Sequence, residues 1–214
     1  MIKLPAIFRE ANPMDRSRQK TDRFLLWVDG VGGYWVCLGD VVTLGQPTLG
    51  SSVDLPILGD LSKRHARIRR DGEGYLLEAI RDVRVDGRLV QGVGLLTDGC
   101  TIQLGSGVRL RFRRPHALSA TARLDFISRH RPQPSVDAVL LMADSCVLGP
   151  KPHSHVVCRD WRDEVVLYRH DDELYCRCGS PFEIDGSKHK SRARITADSN
   201  IVGDRFSLNL ESVT

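Results

Sequence analysis

Short alternations of apolar and polar residues run the length of the chain. Phe24-Leu25-Leu26-Trp27-Val28 stops at Asp29-Gly30 and resumes beyond Gly32-Gly33 as Tyr34-Trp35-Val36-Cys37-Leu38, which predicts a β-hairpin. Val41-Val42-Thr43-Leu44 follows and ends at Gly45. His65-Ala66-Arg67-Ile68-Arg69 puts Ala66 and Ile68 on one face, turns at Asp71-Gly72-Glu73-Gly74, and pairs back as Tyr75-Leu76-Leu77-Glu78. Cys100 to Leu104 and Val108 to Phe112 form a further predicted hairpin. No window keeps apolar residues at i, i+3, i+4 and i+7 over a helix length, so the pattern predicts an all-β protein of sandwich or barrel type.

The pattern also recurs. Tyr175 stands 100 residues after Tyr75, Asp185 stands 99 after Asp86, and Gly203 stands 98 after Gly105. Three landmarks with nearly one spacing predict a tandem duplication of a single β unit. The division expected is an N-terminal basic arm (1–20), a first unit (21–114), a short linker (115–122) with the small, polar, Pro-containing run Pro115-His116-Ala117-Leu118-Ser119-Ala120-Thr121, and a second unit (123–214). Two units also suit 214 residues, since domains cluster at roughly 100–150.

Within the first unit the series Leu44-Gly45-Gln46, Leu61-Ser62-Lys63-Arg64-His65-Ala66, Val85-Asp86-Gly87 and Asp98 to Gly105 resembles the forkhead-associated (FHA) domain over residues 23–113. That family is a β-sandwich whose members read phosphothreonine. The resemblance implies two tandem FHA-like sandwiches, with Ser62, Lys63, Arg64, Gln46 and Asp86 at the phosphopeptide and Gly45, His65 and Gly87 as structural support. The chemistry fits. A phosphothreonine brings a charge of about −1.5 to −2 and three acceptor oxygens, so its receptor needs hydroxyl, backbone N–H and cationic donors. Gln46 stands where the family usually has Arg after the Gly, and Asp86 where it usually has Asn, which implies a weak or non-standard site. Asp86-Gly87 and Asp185-Gly186 read better as turn pairs closing hairpins than as site residues. In the second unit Leu148-Gly149-Pro150 lacks the Arg and Asp160-Trp161-Arg162-Asp163-Glu164 lacks the Ser and His, so a degenerate copy is expected.

Charge sharpens this. The net +4 divides into +3 for residues 1–20, +2 for 21–118 and −1 for 119–214. Neither unit carries the positive field that phosphate-backbone binding needs, so nucleic acid is not an expected partner. The alternation of Arg67, Arg69, Arg109, Arg111 and Arg113 with apolar residues reads as a solvated sheet face. No stretch approaches the ~18 apolar residues of a membrane span, and neither a signal-peptide core nor a regular cysteine framework is present, so the cytoplasm is the expected compartment. His153, His155, Cys158, Cys176 and Cys178 are a conceivable zinc set, but a Cys-x-Cys on a strand reads better as buried thiols, and neither metal nor cofactor is expected. No Gly-x-Ser-x-Gly, P-loop, dinucleotide or His-Glu-x-x-His motif occurs, so the chain is not expected to be an enzyme. The function implied by the resemblance is a non-enzymatic signalling adaptor for threonine-phosphorylated proteins. The alternative is a phosphate-independent scaffold that binds through sheet faces or edges.

Overall fold

The computed structural model describes residues 23–48, 53–116 and 118–213; the basic arm 1–20 lies outside them, as do Ser51 and Ser52. The first hairpin forms as the pattern predicts, with β1 (Arg23–Val28) antiparallel to β2 (Gly32–Cys37). The first unit then continues through β3 (Val41–Gly45), β4 (Leu55–Pro56), β5 (Ala66–Asp71), β6 (Gly74–Ala79), β7 (Val83–Val85), β8 (Arg88–Leu89), β9 (Val93–Leu96), β10 (Thr101–Leu104) and β11 (Val108–Arg113). A second hairpin, β12 (Ala122–Phe126) and β13 (Ala138–Leu141), precedes β14 (Ser145–Gly149), β15 (Val156–Val157), β16 (Val165–His170), β17 (Glu173–Cys178), β18 (Phe182–Ile184), β19 (Ser187–His189), β20 (Arg192–Ile195), β21 (Asn200–Gly203) and β22 (Ser207–Ser212). Among the described residues there is no α-helix, and the chain is all-β.

Among the described residues the strands form three sheets. The largest has the order β19-β18-β21-β22-β1-β2-β13-β12-β11-β10-β7-β8; the two smaller ones are β4-β3-β5-β6-β9 and β15-β14-β16-β17-β20. Alternation along the central strands shows how they stack. Leu25, Trp35, Cys37, Val139 and Leu141 point into one core with Val42, Leu44, Ile68 and Leu77. Their neighbours Phe24, Leu26, Tyr34, Val36, Ala138 and Leu140 point into the other, with Cys146, Leu148, Leu167 and Cys176. Successive residues of a strand face opposite ways, so the two small sheets cover opposite faces of the large one. Strands buried on both faces need apolar residues at every position, which is why β1, β2 and β13 read as runs. β11, covered on one face only, alternates strictly (Val108, Leu110 and Phe112 buried; Arg109, Arg111 and Arg113 exposed).

The pairing does not follow the division into 21–114 and 123–214. β1 pairs with β22, and β12 pairs with β11. The hairpin at the start of each half therefore completes the sandwich of the other half, and the chain crosses between them at Leu38–Asp40 and again at Met142–Asp144. β2 and β13 pair in parallel, Tyr34 to Ala138 through Cys37 to Leu141, and join the two sandwiches into one continuous sheet. The expected linker 115–122 is docked: Ser119 and Thr121 are buried, both hydroxyls donate to the Ser145 carbonyl (3.0 and 2.6 Å), and Ala122 already belongs to β12.

The strand register also corrects the repeat spacing. Arg70 N donates to Asp40 O and Arg169 N to Asp144 O, so β5 and β16 correspond 99 residues apart. Tyr75 faces Arg70 across the ladder whereas Leu174 faces Arg169, which makes Leu174 the counterpart of Tyr75. One residue of slip changes the face. Tyr75 is buried, its hydroxyl on the Ala120 and Leu141 carbonyls, while Tyr175 stacks on Tyr168 and donates to Glu173. Gly203 likewise pairs as the counterpart of Leu104, not of Gly105.

Candidate functional site

Three connections meet at one end of the first sandwich: the exit of β3, the link from β4 to β5, and the link from β6 to β7. His65 holds them together. Its N–H donates to Leu44 O (2.8 Å), and its carbonyl accepts from Ile80 N (3.1 Å) and Arg81 N (3.0 Å). Its ring is buried and accepts from Ser62 N at Nδ1 (3.3 Å), so the ring proton sits on Nε2, which donates to Asp82 O (3.0 Å). Gly45 makes the close approach on the other side. Gln46 N donates to Ser62 O (3.1 Å), and a Cβ on Gly45 would run into the Lys63 carbonyl. These two support residues thus fix the backbone of Ser62-Lys63-Arg64 without contributing charge.

The side chains on that frame are open to solvent. Ser62 is half-buried, and Gln46, Lys63 and Arg64 are exposed. Neither Lys63 nor Arg64 forms an ion pair among the described residues. A hydroxyl and two unpaired cations on a braced loop can receive an oxyanion by charge-assisted hydrogen bonds. Arg81, which the sequence reading missed, joins them: it is exposed and its backbone is bonded to His65. Its signal was its place between β6 and β7, a connection that only the pairing of β6 with β5 brings alongside the Ser62 loop. Asp82 and Asp60 are exposed acids beside the same connections and temper the positive field.

Asp86 and Gly87 do not belong to this end. They are the two central residues of the turn between β7 and β8, with φ of 48° and 79°, the pair of positive values a type I′ hairpin requires. β7 carries the chain away from Asp82 by three residues, about 10 Å. At its far end Asp86 Oδ1 accepts from Thr101 N (2.8 Å). Asp185-Gly186 repeats the arrangement at 50° and 81°, with Asp185 Oδ1 on Asn200 N (2.8 Å). Both pairs are hairpin turns, and Asp86 is withdrawn from the candidate phosphopeptide residues.

The matching end of the second sandwich is closed. Trp161, the counterpart of Ser62, is buried and packs on Phe206 at 5.2 Å between ring centroids. Asp163 accepts from the Ser180 hydroxyl (2.5 Å), and Glu164, in the place of His65, pairs with Lys151 at 2.9 Å. The hydrogen bond from Lys151 holds the Glu164 carboxyl below its usual range. Arg162 is the exposed cation left at this end, with the engaged acids Asp163 and Glu164 beside it in the chain.

The thiols sit elsewhere. Cys146, Cys158, Cys176 and Cys178 line the second core and Cys37 and Cys100 the first. Burial pushes Cys146, Cys158 and Cys176 up to about 12, so they are protonated at neutral pH. No group of three or more His, Cys, Asp or Glu side chains converges among the described residues.

No protein-family model matches this sequence, and no curated protein matches it. Among solved structures the chain is similar to Mycobacterium tuberculosis EmbR in complex with a low-affinity phosphopeptide, at 21% identity and a TM-score of 0.33. That match covers 44% of this chain and only 27% of EmbR. It is similar to the FHA domain of the Chlamydia trachomatis protein CT664 at 22% identity and a TM-score of 0.31, over 39% of this chain and 90% of that one. It is also similar to the N-terminal FHA domain of EssC, a component of the bacterial type VII secretion apparatus, at 10% identity and a TM-score of 0.25, over 89% and 93% of the two chains. Over the described residues the chain is all-β, with two five-stranded sheets of matching strand order.

Proposed function

We propose that the chain is a non-enzymatic protein-interaction adaptor built from two FHA-like sandwiches, in which the end of the first formed by Ser62, Lys63, Arg64 and Arg81 reads threonine-phosphorylated partners weakly. The observation that carries this is the pair of exposed, unpaired cations on a loop whose backbone is pinned by buried His65 and by the Gly45 contact. Weak binding follows from two features. Gln46 supplies an amide where a cation would add a charged hydrogen bond of roughly 1.5–3 kcal/mol, and Asp86 Oδ1 is engaged by Thr101 N at the β7–β8 turn. The second sandwich, plugged by Trp161, takes no phosphate at its matching end and serves packing.

The test is titration against a phosphothreonine peptide library and its unphosphorylated twin, with Ser62→Ala and Lys63→Ala in parallel. Preference for the phosphorylated library, reduced in both variants, supports the reading; equal affinity for the two libraries overturns it. Equal affinity would favour a phosphate-independent scaffold. The observation behind that second reading is the exposed apolar residues on two sheet edges, Leu89 on β8 and Val93 and Leu95 on β9, each more than half exposed.

A further inference from the structure

A second polar cleft of about 270 Å³ lies where the two sandwiches meet, far along the chain from Ser62. Its wall takes Tyr34 from β2, Arg113 from β11 and Arg123 from β12, and is completed by Ser154 and His155 just before β15. The exchanged hairpins are what bring these together: β12 is in the first sandwich and β15 in the second, and β2 lies at the seam.

Three features of the cleft are unexplained by the protein alone. Arg113 and Arg123 are directly opposed across the β11–β12 ladder, on one face; Asp125 offsets the charge of Arg123, and no acid pairs with Arg113 among the described residues. Arg123 is held in place, its Nε on Asp125 (2.7 Å), its Nη1 on the His155 carbonyl (2.9 Å) and its guanidinium 5.5 Å from the centre of the Tyr34 ring. Next, Ser154 is 2% exposed and its hydroxyl has no hydrogen-bond partner. Last, His155 is fully buried; Nδ1 accepts from Val147 N (2.9 Å), which leaves the ring proton on Nε2, and Nε2 also lacks a partner. The Thr121 backbone also approaches the ring.

Buried donors without acceptors are rare and call for a ligand or a water. A water would satisfy Ser154 and His155 but would leave Arg113, the cation facing Arg123, without a counter-charge among the described residues. An oxyanion satisfies all of them. We propose that this cleft between the sandwiches binds a phosphoryl group, free or esterified, its oxygens accepting from Ser154 Oγ, His155 Nε2 and the guanidinium groups of Arg113 and Arg123. A phosphate offers acceptors in several directions and negative charge, which suits the unpaired Arg113, the remaining N–H groups of Arg123 and two neutral donors. The other charged groups nearby are accounted for: Asp125 is engaged by Arg123, and Glu164 by Lys151. His116 stacks on His155 at 5.7 Å and meets His153 edge-on at 5.5 Å, forming the outer rim.

The test uses the whole chain. Amide shifts are followed by NMR at constant ionic strength during titration with inorganic phosphate, then with a phosphothreonine peptide and its unphosphorylated twin. Expected are saturable shifts at Ser154 to Val156 and at Arg123 with phosphate. Exposed Arg113→Gln and buried Ser154→Ala should each weaken binding about ten-fold or more. The double variant Ser62→Ala, Lys63→Ala should leave these shifts unchanged, which separates this cleft from the Ser62 end. Tighter binding of the peptide than of inorganic phosphate identifies a phosphorylated side chain as the occupant; tighter binding of inorganic phosphate identifies the free ion; either supports the cleft. Shifts confined to Ser62–His65, or Arg113→Gln binding phosphate as the unaltered protein does, would overturn it.

Discussion

The corresponding ends of the two sandwiches share a backbone plan and differ in what fills it. In the first, Ser62-Lys63-Arg64-His65 is braced from within by an imidazole and leaves its cations outside. In the second, Trp161-Arg162-Asp163-Glu164 is closed by an aromatic pair and two engaged carboxylates. A polar brace ties backbone groups of three connections while leaving the side chains of its loop unspent. An apolar plug makes the same end stable by occupying it. The difference teaches that binding capacity here is a property of what the loop does not need for its own stability.

The comparison can be broken in order of expected effect. Trp161→Ala should cost about 3–5 kcal/mol, as large-to-small changes at buried aromatics do, whereas Ser62→Ala should stay below about 1 kcal/mol; denaturant unfolding of both variants measures the contrast. A similar loss on both sides would mean that the Ser62 end is also a packed plug.

The caps before β4 and β15 offer a pH test. Asp54 Oδ2 accepts from Thr43 N (2.7 Å), and at the matching place His155 Nδ1 accepts from Val147 N. Burial, aided by the neighbouring His116, lowers His155 from 6.5 to about 4. The unfolded chain therefore takes up a proton that the folded one refuses. Stability from this group is complete above pH 6.5 and declines as pH falls toward 4, by up to about 3 kcal/mol. His155→Asn, which cannot titrate, should flatten that part of a stability–pH curve; an unchanged curve would show that His155 is not its source.

His65→Ala should cost about 2 kcal/mol, because it strands the Ser62 N–H and the Asp82 carbonyl, and should abolish phosphopeptide preference by freeing the loop. Loss of stability with binding intact would show that the brace and the site are independent. The smallest effect expected is a gain: Gln46→Arg should tighten phosphothreonine binding about ten-fold, or 1.4 kcal/mol, with unfolding unchanged. Pro150→Arg, its counterpart beside the plugged end, should gain nothing.

Much of this was legible in the residues. The β1–β2 hairpin follows from an apolar run broken at Asp29-Gly30, and the Asp-Gly pairs announce turns because few residues tolerate consecutive positive φ. The role of His65 as a brace was implied by the resemblance of the Leu61-to-Ala66 block to the FHA family, and not by its local pattern. Asp86 misled because adjacency in a motif says nothing about which end of a three-residue strand a side chain occupies. Tyr175 misled because two tyrosines at a plausible spacing look equivalent, although one residue of register decides which face each takes. The Arg113–Arg123 opposition was invisible, since its partner residues lie on strands that meet only in the folded sheet.

The sequence by itself determined the strands, their turns, the two-fold recurrence of the pattern and the chemistry of the Ser62 loop, because these depend on side-chain period and on local backbone preference. Only the tertiary structure decided which hairpin completes which sandwich. The edges of β11 and β22 present the same row of backbone N–H and C=O groups to any incoming strand, and the apolar faces of β1 and β12 suit either core. Nothing local distinguishes the two pairings. The choice rests on the short crossings at Leu38–Asp40 and Met142–Asp144 and on the shared burial of β2 and β13, which are properties of the assembled sheet.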